Sequence, residues 1–364
     1  MAFSTTFHDL LDPLSGERTS IRIEDGRLAR RGSDLPRGEG RDLEGADWWV
    51  LPGIYDADAH MPLVEVGLRE SDRALALQGG VTRVNVALQW QDIKDVDLEA
   101  LFGDLTRWAL PRITPILSVH SDRDSTGFGE WLESNAELVR TLMPPVCKLY
   151  SYGDGFWENL ETVAGAGLLP IIYCKDFSDV EEVVAKAPVP VHFRHAVSEE
   201  LVRTMQGLQG ATLQTSPHFL LPVADEVREQ LFVLPPVGSA EQVAEFAPLV
   251  LDEIDFIVTD HNAPPLQHPT GPGLQVQQNF LAAMLTARNL YDWPLERVWE
   301  KLTTAPAERF GVELEPSFVI VDPTDEHVVG RWEPRQTSDR APYAGMTLAG
   351  RVLAVGNDDA VELI

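Results

Sequence analysis

Ionisable residues stand at the ends of several short apolar segments in the middle of the chain. They are Asp58 and His60, His120, Lys148, Arg194 with His195, His218, and Asp260 with His261. Imidazole nitrogens and carboxylate oxygens are common zinc ligands in proteins. Bound zinc lowers the pKa of water towards about 7 and supplies hydroxide, while a neighbouring carboxylate can carry the proton. If the segments converge in space, these residues predict a metal-dependent hydrolytic site.

The apolar segments that would position these residues are short and β-branched, and they do not alternate between apolar and polar positions. This pattern is typical of strands buried on both faces. The segments are Ile54–His60, Val81–Leu88, Ile113–His120, Val146–Tyr152, Leu169–Asp176, Val189–His195, Ala211–His218 and Phe256–His261. Helical segments lie between most of them, such as the one after the N-cap Ser198.

Strand–helix units of this number, repeated over about 250 residues, indicate an α/β fold of the (β/α)8 TIM-barrel type. Catalytic side chains of such barrels lie at the carboxyl ends of the strands, where the ionisable residues stand here. A doubly wound open sheet is the alternative. It usually shows a glycine-rich phosphate turn after the first strand, and this sequence has none there.

Both ends of the chain instead alternate short apolar runs with turn residues, which favours β structure. The expected strands lie in Ser20–Leu28 (strand, turn, strand), Ser317–Pro323 (stopped by the proline), Gly345–Val352 and Ala360–Leu363. We therefore predict a small composite β-sandwich domain from residues 1–52 and 313–364, and a barrel from residues 53–312.

The net charge of the chain limits the classes of partner that it can bind. The 364 residues contain 57 Asp and Glu against 29 Lys and Arg, a net charge of −28. Such a surface repels nucleic acid and anionic membranes, so we expect a small-molecule substrate instead. Cys147 and Cys174 fit no zinc motif and favour free thiols in a reducing compartment. No signal peptide or membrane span is recognisable, and we expect a soluble cytoplasmic protein.

Motifs along nearly the whole chain resemble, in order, those of the amidohydrolase superfamily, and of dihydroorotases in particular. Leu51–His60 is similar to the first-strand pattern P-G-hydrophobic-hydrophobic-D-x-H-x-H. The further segments that carry the resemblance are Lys148–Tyr150 (the carbamylated-lysine strand), His195–Ser198 (H-V-S-T), Thr215–Leu220 (T-P-H-H-L), Pro235–Val237 (P-P-L-R), Thr259–Pro264 (S-D-H-A-P-H) and Ala305–Gly311 (N-P-A-x-x-F-G).

The resemblance implies one or two zinc ions and a ligand set for them. The implied ligands are Asp58, His60, Lys148, His195 and Asp260. Lys148 would be carbamylated by carbon dioxide, because an ammonium cannot bind metal, and Asp154 is a fallback ligand from the following loop. Asp260 would also be the general base. Two positions depart from the family: Asp58 replaces its first histidine, and Tyr173 stands where a fifth-strand histidine is expected.

The substrate side also departs from dihydroorotases. The family's arginine after the first metal motif is replaced within Met61–Leu63, and Gln89 stands where an asparagine is expected. The last histidine of D-H-A-P-H is Pro265, or is displaced by Asn262. Arg194 could replace the missing cation for a substrate carboxylate. Gln89, Arg194 and His218 are therefore the candidate substrate-binding residues.

Three functional hypotheses follow from this resemblance. The first is a metal-dependent, dihydroorotase-like cyclic amidohydrolase of the pyrimidine-biosynthesis type. The second is a hydrolase of another substrate, such as a hydantoin, allantoin or an acylated amino acid. The third is a catalytically inactive relative that acts as a structural partner, for example of aspartate transcarbamoylase, or assembles as a homo-oligomer. Without metal, a free Lys148 ammonium would form an ion pair with Asp58 and Asp260.

Overall fold

The computed structural model describes residues 4–38, 40–61, 67, 69–262, 271–330 and 338–364. The motif positions Pro62, Leu63, Ala263–Pro265 and the loop histidine His268 lie outside these residues. Two sheets organise the described chain, a nine-stranded one in the middle segment and an eight-stranded one from the two ends.

The strands follow the apolar segments seen in the sequence. They are β1 (Ser4–Leu11), β2 (Arg18–Glu24), β3 (Arg27–Gly32), β4 (Arg41–Glu44), β5 (Trp49–Pro52), β6 (Ile54–His60), β7 (Val81–Gln89), β8 (Arg112–Val119), β9 (Val146–Tyr150), β10 (Leu169–Tyr173), β11 (His192–Phe193), β12 (Thr212–Thr215), β13 (Phe256–Ile257), β14 (His261–Asn262), β15 (Ser317–Val328), β16 (Thr347–Asn357) and β17 (Val361–Leu363).

Helices connect consecutive barrel strands and cover them. They are α1 (Glu70–Gln78), α2 (Trp90–Ile93), α3 (Leu98–Leu105), α4 (Phe128–Ser134), α5 (Ala136–Leu142), α6 (Phe156–Gly165), α7 (Phe177–Lys186), α8 (Glu199–Met205), α9 (Asp225–Arg228), α10 (Ala240–Phe246), α11 (Val250–Glu253), α12 (Phe280–Leu290), α13 (Leu295–Leu302) and α14 (Thr304–Phe310). Short 3-10 turns at Pro217–Phe219, Ala247–Leu249, Gln277–Asn279 and Ser338–Arg340 complete the regular structure.

The nine-stranded sheet is a closed barrel of eight strand positions. Its order runs from β13 through β12 and down to β6, which then pairs in parallel with β14. Since β13 and β14 are separated by only three residues, they are two halves of the eighth strand, one on each side of the closure. All the pairs in this sheet are parallel. The predicted fold class, a (β/α)8 barrel with an added β domain, is confirmed.

Two apolar layers hold the barrel. Inside it, Tyr55, Ile116, Ile171 and Phe256 from four different strands pack with Phe310 of α14. Outside it, the strands pack against the surrounding helices in one large cluster of buried residues. Helix starts are well specified, since the Ser198 side chain caps α8 as the sequence predicts, accepting a bond from Leu201 N at 3.3 Å.

The chain ends pair with each other in the second sheet, in the order β17-β16-β15-β5-β1-β2-β3, with β4 added on β1. Its core includes Phe7, Ile21, Val50 and Phe318. One prediction is wrong: β15 does not stop at Pro323 but continues to Val328. The pairing of β15 with β16 shifts register between Asp322 and Glu326, and such a bulge accommodates a proline that cannot donate a ladder bond.

Two smaller findings complete the fold. Cys147 is buried and Cys174 is partly buried, and both are free thiols. None of the described helices is long and apolar enough to cross a membrane.

Candidate active site at the mouth of the barrel

The carboxyl ends of the barrel strands surround a cavity of about 650 Å³, a size typical of small-molecule sites. The described residues that line it are His60, Gln89, His120, Tyr150, Tyr152, Tyr173, Lys175, Arg194, His195, Val233, Leu234, Asp260, Asn262 and Gly271–Gly273. The structure therefore brings together most of the polar strand-end residues identified in the sequence. Asp58 and Lys148 lie behind this lining, 3% and 0% exposed.

Two carboxylates and two cations are hydrogen-bonded to one another beside the cavity. Lys148 Nζ donates to Asp58 Oδ1 at 2.6 Å. Arg194 donates through Nε to Asp58 Oδ2 and through Nη2 to Asp260 Oδ1, both at 2.6 Å. The Arg194 guanidinium therefore spans the two carboxylates, and all three of these bonds are of the strong, charge-assisted kind. We call Asp58, Lys148, Arg194 and Asp260 the ion network.

Two neutral histidines border the ion network. His60 Nε2 lies 2.8 Å from Lys148 Nζ and 3.3 Å from Arg194 Nη2. Since an ammonium and a guanidinium can only donate, we assign Nε2 as an acceptor, which leaves the ring proton on Nδ1. Burial and the charges of Lys148 and Arg194 lower the pKa of His60 well below its usual value. His195 Nε2 lies 3.7 Å from Asp260 Oδ2, and its buried Nδ1 has no hydrogen-bond partner in the part of the chain that the structure describes.

The pKa values of the ion network reflect its burial. Asp58 and Asp260 share Arg194 and titrate as a pair. Arg194 and Lys148 overcome the effect of burial and hold the pKa of Asp58 well below its usual value. Burial, assisted by the charge of Asp58, raises the pKa of Asp260 to about 7 against Arg194. Burial and the charge of Arg194 lower the pKa of Lys148 to about 8. One carboxyl of the site is therefore ready to exchange a proton near neutrality.

Backbone strain marks the ends of two of the strands. His195 and Asp260 have φ angles of 57° and 52°, in the left-handed region that non-glycine residues rarely adopt. Strain of this kind is concentrated at functional sites, where the surrounding structure has to hold it. In Asp260 it accompanies the gap between β13 and β14, which brings Asp260 N to Asp58 O at 3.0 Å.

Aromatic side chains form one wall of the cavity. Tyr150 and Tyr173 have ring centroids 5.8 Å apart, Tyr152 is 5.7 Å from Tyr150, and His120 stacks on Tyr150 at 4.0 Å. The Arg194 guanidinium carbon lies 5.7 Å from the centre of the Tyr173 ring. Tyr173, which stands where the resemblance implies a histidine ligand, therefore packs on the ion network.

Two residues behind the site were missed in the sequence. Gln214 Nε2 donates to Asp58 Oδ2 at 2.7 Å, and Gln214 Oε1 lies 3.0 Å from His192 Nε2. His192 Nδ1 in turn lies 2.8 Å from the Thr212 hydroxyl. This chain of bonds fixes Asp58 at Oδ2, the oxygen that also accepts from Arg194 Nε. The only sequence pattern that could have revealed it is the placement of Gln214 and His192 within neighbouring buried strands.

Asp56 and His218 have other roles than lining the cavity. Asp56 Oδ1 accepts from Thr259 N at 3.0 Å, and Oδ2 accepts from Thr259 Oγ1 at 2.5 Å and Gln277 Nε2 at 2.7 Å. It therefore ties the first strand to the eighth. His218 is 0% exposed, neither of its ring nitrogens has a hydrogen-bond partner among the described residues, and burial lowers its pKa to about 3. Its predicted contact with substrate stays a prediction.

A divalent metal, which the resemblance implies, does not fit these contacts. Asp58, His60 and Asp260 do place ligand atoms within 4.8 Å of one another. However, Lys148 or Arg194 already binds each of them closely. An arginine cannot give up its proton, and zinc would need the same carboxylate oxygens at about 2.0–2.2 Å. The Lys148 ammonium forms the ion pair with Asp58 that is expected for a metal-free site, and Asp260 pairs with Arg194.

Comparison of the sequence with models of known protein families finds no match. Among curated proteins, the chain is 22% identical over 393 residues to a dihydroorotase of Macrococcus caseolyticus, covering 91% of each chain. It is 27% identical over 412 residues to an allantoinase of Rubrobacter xylanophilus, covering 93% of this chain and 89% of the other.

Among solved structures, the L-hydantoinase (dihydropyrimidinase) of Arthrobacter aurescens superposes with a TM-score of 0.71 at 17% identity. The superposition covers 100% of this chain and 97% of the other. At that identity the likeness shows the shared barrel fold. Together with the ordered motifs, these comparisons show a chain that is dihydroorotase-like in sequence along nearly its whole length and that shares the barrel fold of a hydantoinase.

Proposed function

We propose that the chain hydrolyses a carbon–nitrogen bond of a small cyclic amide in the cavity at the barrel mouth. The observation that carries the proposal is Asp260, a strained residue at the end of the last barrel strand that faces this cavity. The relatives named dihydroorotase, allantoinase and hydantoinase supply the reaction class. The cavity volume suits a single small ring with a substituent.

Asp260 is assigned the proton transfers of this reaction. Hydrolysis forms a bond between water oxygen and the ring carbonyl carbon, breaks the carbon–nitrogen bond and delivers one proton to the leaving nitrogen. A base works best when its pKa lies near the working pH, and burial raises that of Asp260 to about 7. Asp260 would accept the proton of the attacking water and return it to the ring nitrogen.

Arg194 is placed to stabilise the negative charge that develops on the carbonyl oxygen. It lines the cavity and is held by two carboxylates, so its position is fixed before the substrate arrives. Donors fixed in advance in a site of low dielectric stabilise an oxyanion effectively. Zinc and a carbamylated Lys148 are the resemblance's expectation, but the contacts around Asp58 do not accommodate them, and no step is assigned to them.

The side chains that line the cavity indicate which cyclic amides it can bind. The tyrosines Tyr150, Tyr152 and Tyr173 offer faces on which a planar amide ring can stack, and Gln89 and Asn262 offer amide groups to its edge. Lys175 lines the same cavity and could pair with a substrate carboxylate such as that of dihydroorotate. Dihydroorotate, hydantoins and allantoin are therefore all candidates.

The test is turnover of dihydroorotate, hydantoin, dihydrouracil and allantoin by the purified chain. We expect at least one of them to be hydrolysed, and Asp260→Asn to slow it about 10²–10⁴-fold, the usual contribution of a general base. Asp252→Asn, which changes an exposed carboxylate, is the matched control and should leave the rate unchanged. Failure to hydrolyse any of the four, with and without added zinc and bicarbonate, would rule the proposal out.

A second candidate function is that of a catalytically inactive, dihydroorotase-like partner protein. The observation that favours it is the guanidinium of Arg194 between the two carboxylates that a catalytic metal would use. The partner implied by the resemblance is an aspartate transcarbamoylase, and a homo-oligomer is the other assembly expected. Sedimentation of the chain with and without such a transcarbamoylase distinguishes them: a joint complex supports this candidate, and an active chain that sediments alone opposes it.

A further inference from the structure

The two departures from the dihydroorotase ligand set, Asp58 and Tyr173, both contact Arg194. Asp58, which stands in place of the first histidine, accepts a hydrogen bond from Arg194 Nε through its Oδ2 at 2.6 Å. Tyr173, in place of the fifth-strand histidine, packs on the Arg194 guanidinium at 5.7 Å. Arg194 itself directly precedes His195, the sixth-strand position that the resemblance makes a ligand. The changes at positions 58 and 173 therefore form one packed unit with Arg194 instead of two separate losses.

The ion network carries at least as much positive as negative charge near neutral pH. Asp58 and Asp260 supply two carboxylates, Lys148 and Arg194 supply two cations, and the adjoining His60 and His195 are neutral. A divalent ion would add two positive charges beside a guanidinium that cannot be neutralised. Like charges a few ångströms apart in a buried site repel strongly. The network therefore opposes metal binding by charge as well as by space.

Arg194 is also held from several directions. Its side chain is 3% exposed, and it is bound to Asp58 and Asp260 through two different nitrogens. Asp58 is in turn fixed by Gln214 at 2.7 Å. Moving Arg194 aside to admit a metal would leave the two carboxylates without their shared partner. It would also press the guanidinium charge against the aromatic wall of the cavity. Both changes cost free energy.

We propose that Arg194, together with Lys148, provides the positive charge of this site in place of a divalent metal. Asp58 and Tyr173 are then the residues that position Arg194, and the chain binds no stoichiometric zinc. The inference rests on the proposed function only in taking this cavity as the reaction site. Metal content is measured independently of turnover, so the two can fail separately.

The experiment begins with the wild-type chain expressed in zinc-supplemented medium and purified without chelator. Its zinc content is measured by plasma mass spectrometry and by equilibrium dialysis against zinc chloride, with and without bicarbonate. We expect well below one zinc per chain, and a melting temperature that zinc and chelators leave unchanged. One zinc per chain in either buffer, lowered melting on chelation, or a carbamate on Lys148 in the intact protein mass would overturn the inference.

The second arm removes the guanidinium. Arg194→Ala should bind about one zinc per chain and melt at a higher temperature when zinc is added, because Asp58 Oδ2 and Asp260 Oδ1 lose the guanidinium that occupies them. Arg203→Ala, which removes an arginine from the exposed face of α8, is the matched control and should behave as wild type. A folded Arg194→Ala chain that binds no more zinc than this control would overturn the assignment to Arg194.

Arg194→Gln keeps a polar side chain and is the alternative if the alanine variant does not fold. It too should bind about one zinc per chain, and no more zinc than in the control would overturn the assignment. If neither variant folds, the wild-type zinc measurements alone decide the inference. Turnover without zinc supports both the proposed function and this inference. Absence of turnover both with and without zinc leaves this inference standing and removes the proposed function, and bound zinc removes this inference alone.

Discussion

At the scale of single residues, Arg194 determines the charge of the site because it joins two carboxylates that lie far apart in the chain. The pairs Asp58–Arg194 and Arg194–Asp260 are separated by 136 and 66 positions. The sequence shows a cation at the end of a barrel strand, but it cannot show which carboxylates that cation meets, because their approach depends on the closure of the barrel.

Removing Arg194 should destabilise the fold strongly. Arg194→Met leaves Asp58 and Asp260 buried without their shared partner, and breaking such a pair costs about 3–5 kcal/mol. Urea unfolding measures the change in the free energy of unfolding. Arg203→Met on the exposed face of α8 should cost about 1 kcal/mol or less. Equal losses in the two variants would contradict the network described here.

His218 should make the chain sensitive to acid. Burial holds its pKa at about 3 against about 6.5 in the unfolded chain, so this lowered pKa contributes stability above pH 6.5 that is lost as the pH falls towards 3. Between pH 7 and pH 5 the loss is about 2 kcal/mol. Urea unfolding of His218→Leu should therefore show a smaller decline over this range than wild type.

The control for this measurement is Phe219→Leu, which alters the ring packed on His218 at 4.1 Å but removes no titrating group. It should keep the wild-type decline with falling pH. If His218→Leu declines as steeply as this control, the imidazole is not held neutral by its burial. A loss of turnover in His218→Leu would in addition support the substrate contact predicted from the sequence.

At the scale of elements, the eighth barrel strand is the one whose construction matters most to the site. It is divided into β13 and β14, and the division lets Asp260 face the cavity while Thr259 bonds Asp56 on the first strand. The apolar run Phe256–His261 predicts a strand here. It does not predict the division, which depends on the bonds of Asp56 across the closure.

Thr259→Val tests this connection. It removes the hydroxyl that donates to Asp56 and accepts from His261 N, and a buried polar group left without its partner costs about 1–3 kcal/mol. Thr141→Val, on an exposed helix position, should change the free energy of unfolding by less than about 0.5 kcal/mol. Equal effects in urea unfolding would show that the bonds to Asp56 do not hold the closure.

The barrel strands could otherwise be predicted from the apolar runs of the sequence, for a physical reason. Parallel strands buried on both faces need continuous apolar runs, so β6 to β9 begin and end close to the apolar segments. The continuation of β15 past Pro323 could not be predicted from the sequence. The bulge that accommodates the proline forms only in the pairing of β15 with β16. Side chains that support Asp58 from behind the cavity lining, such as Gln214 and His192, belong to no recognisable sequence motif.

At the scale of the whole molecule, the excess of acid lies outside the site. The net charge is −28, whereas the ion network sets two cationic groups against two carboxyl groups. Self-repulsion of a highly charged chain destabilises its compact state, and salt screens that repulsion, with a Debye length falling from about 30 Å at 0.01 M to about 8 Å at 0.15 M.

Raising the ionic strength over this range should therefore raise the melting temperature. Each kcal/mol of relieved repulsion corresponds to about 1–2 °C for a chain of 364 residues. Sodium chloride and choline chloride should act alike, since screening does not depend on the identity of the cation. A fall in melting temperature with salt, or a rise with only one of the two, would contradict this account of the charge.

The most direct measurement of the central claim is a crystal structure of the wild-type chain grown with zinc chloride and bicarbonate, with anomalous data collected at the zinc edge. The account predicts the Arg194 guanidinium between Asp58 and Asp260, an unmodified Lys148, and no anomalous peak within bonding distance of these carboxylates. An anomalous peak bound by Asp58, His60 and Asp260, with Arg194 displaced or Lys148 carbamylated, would contradict it.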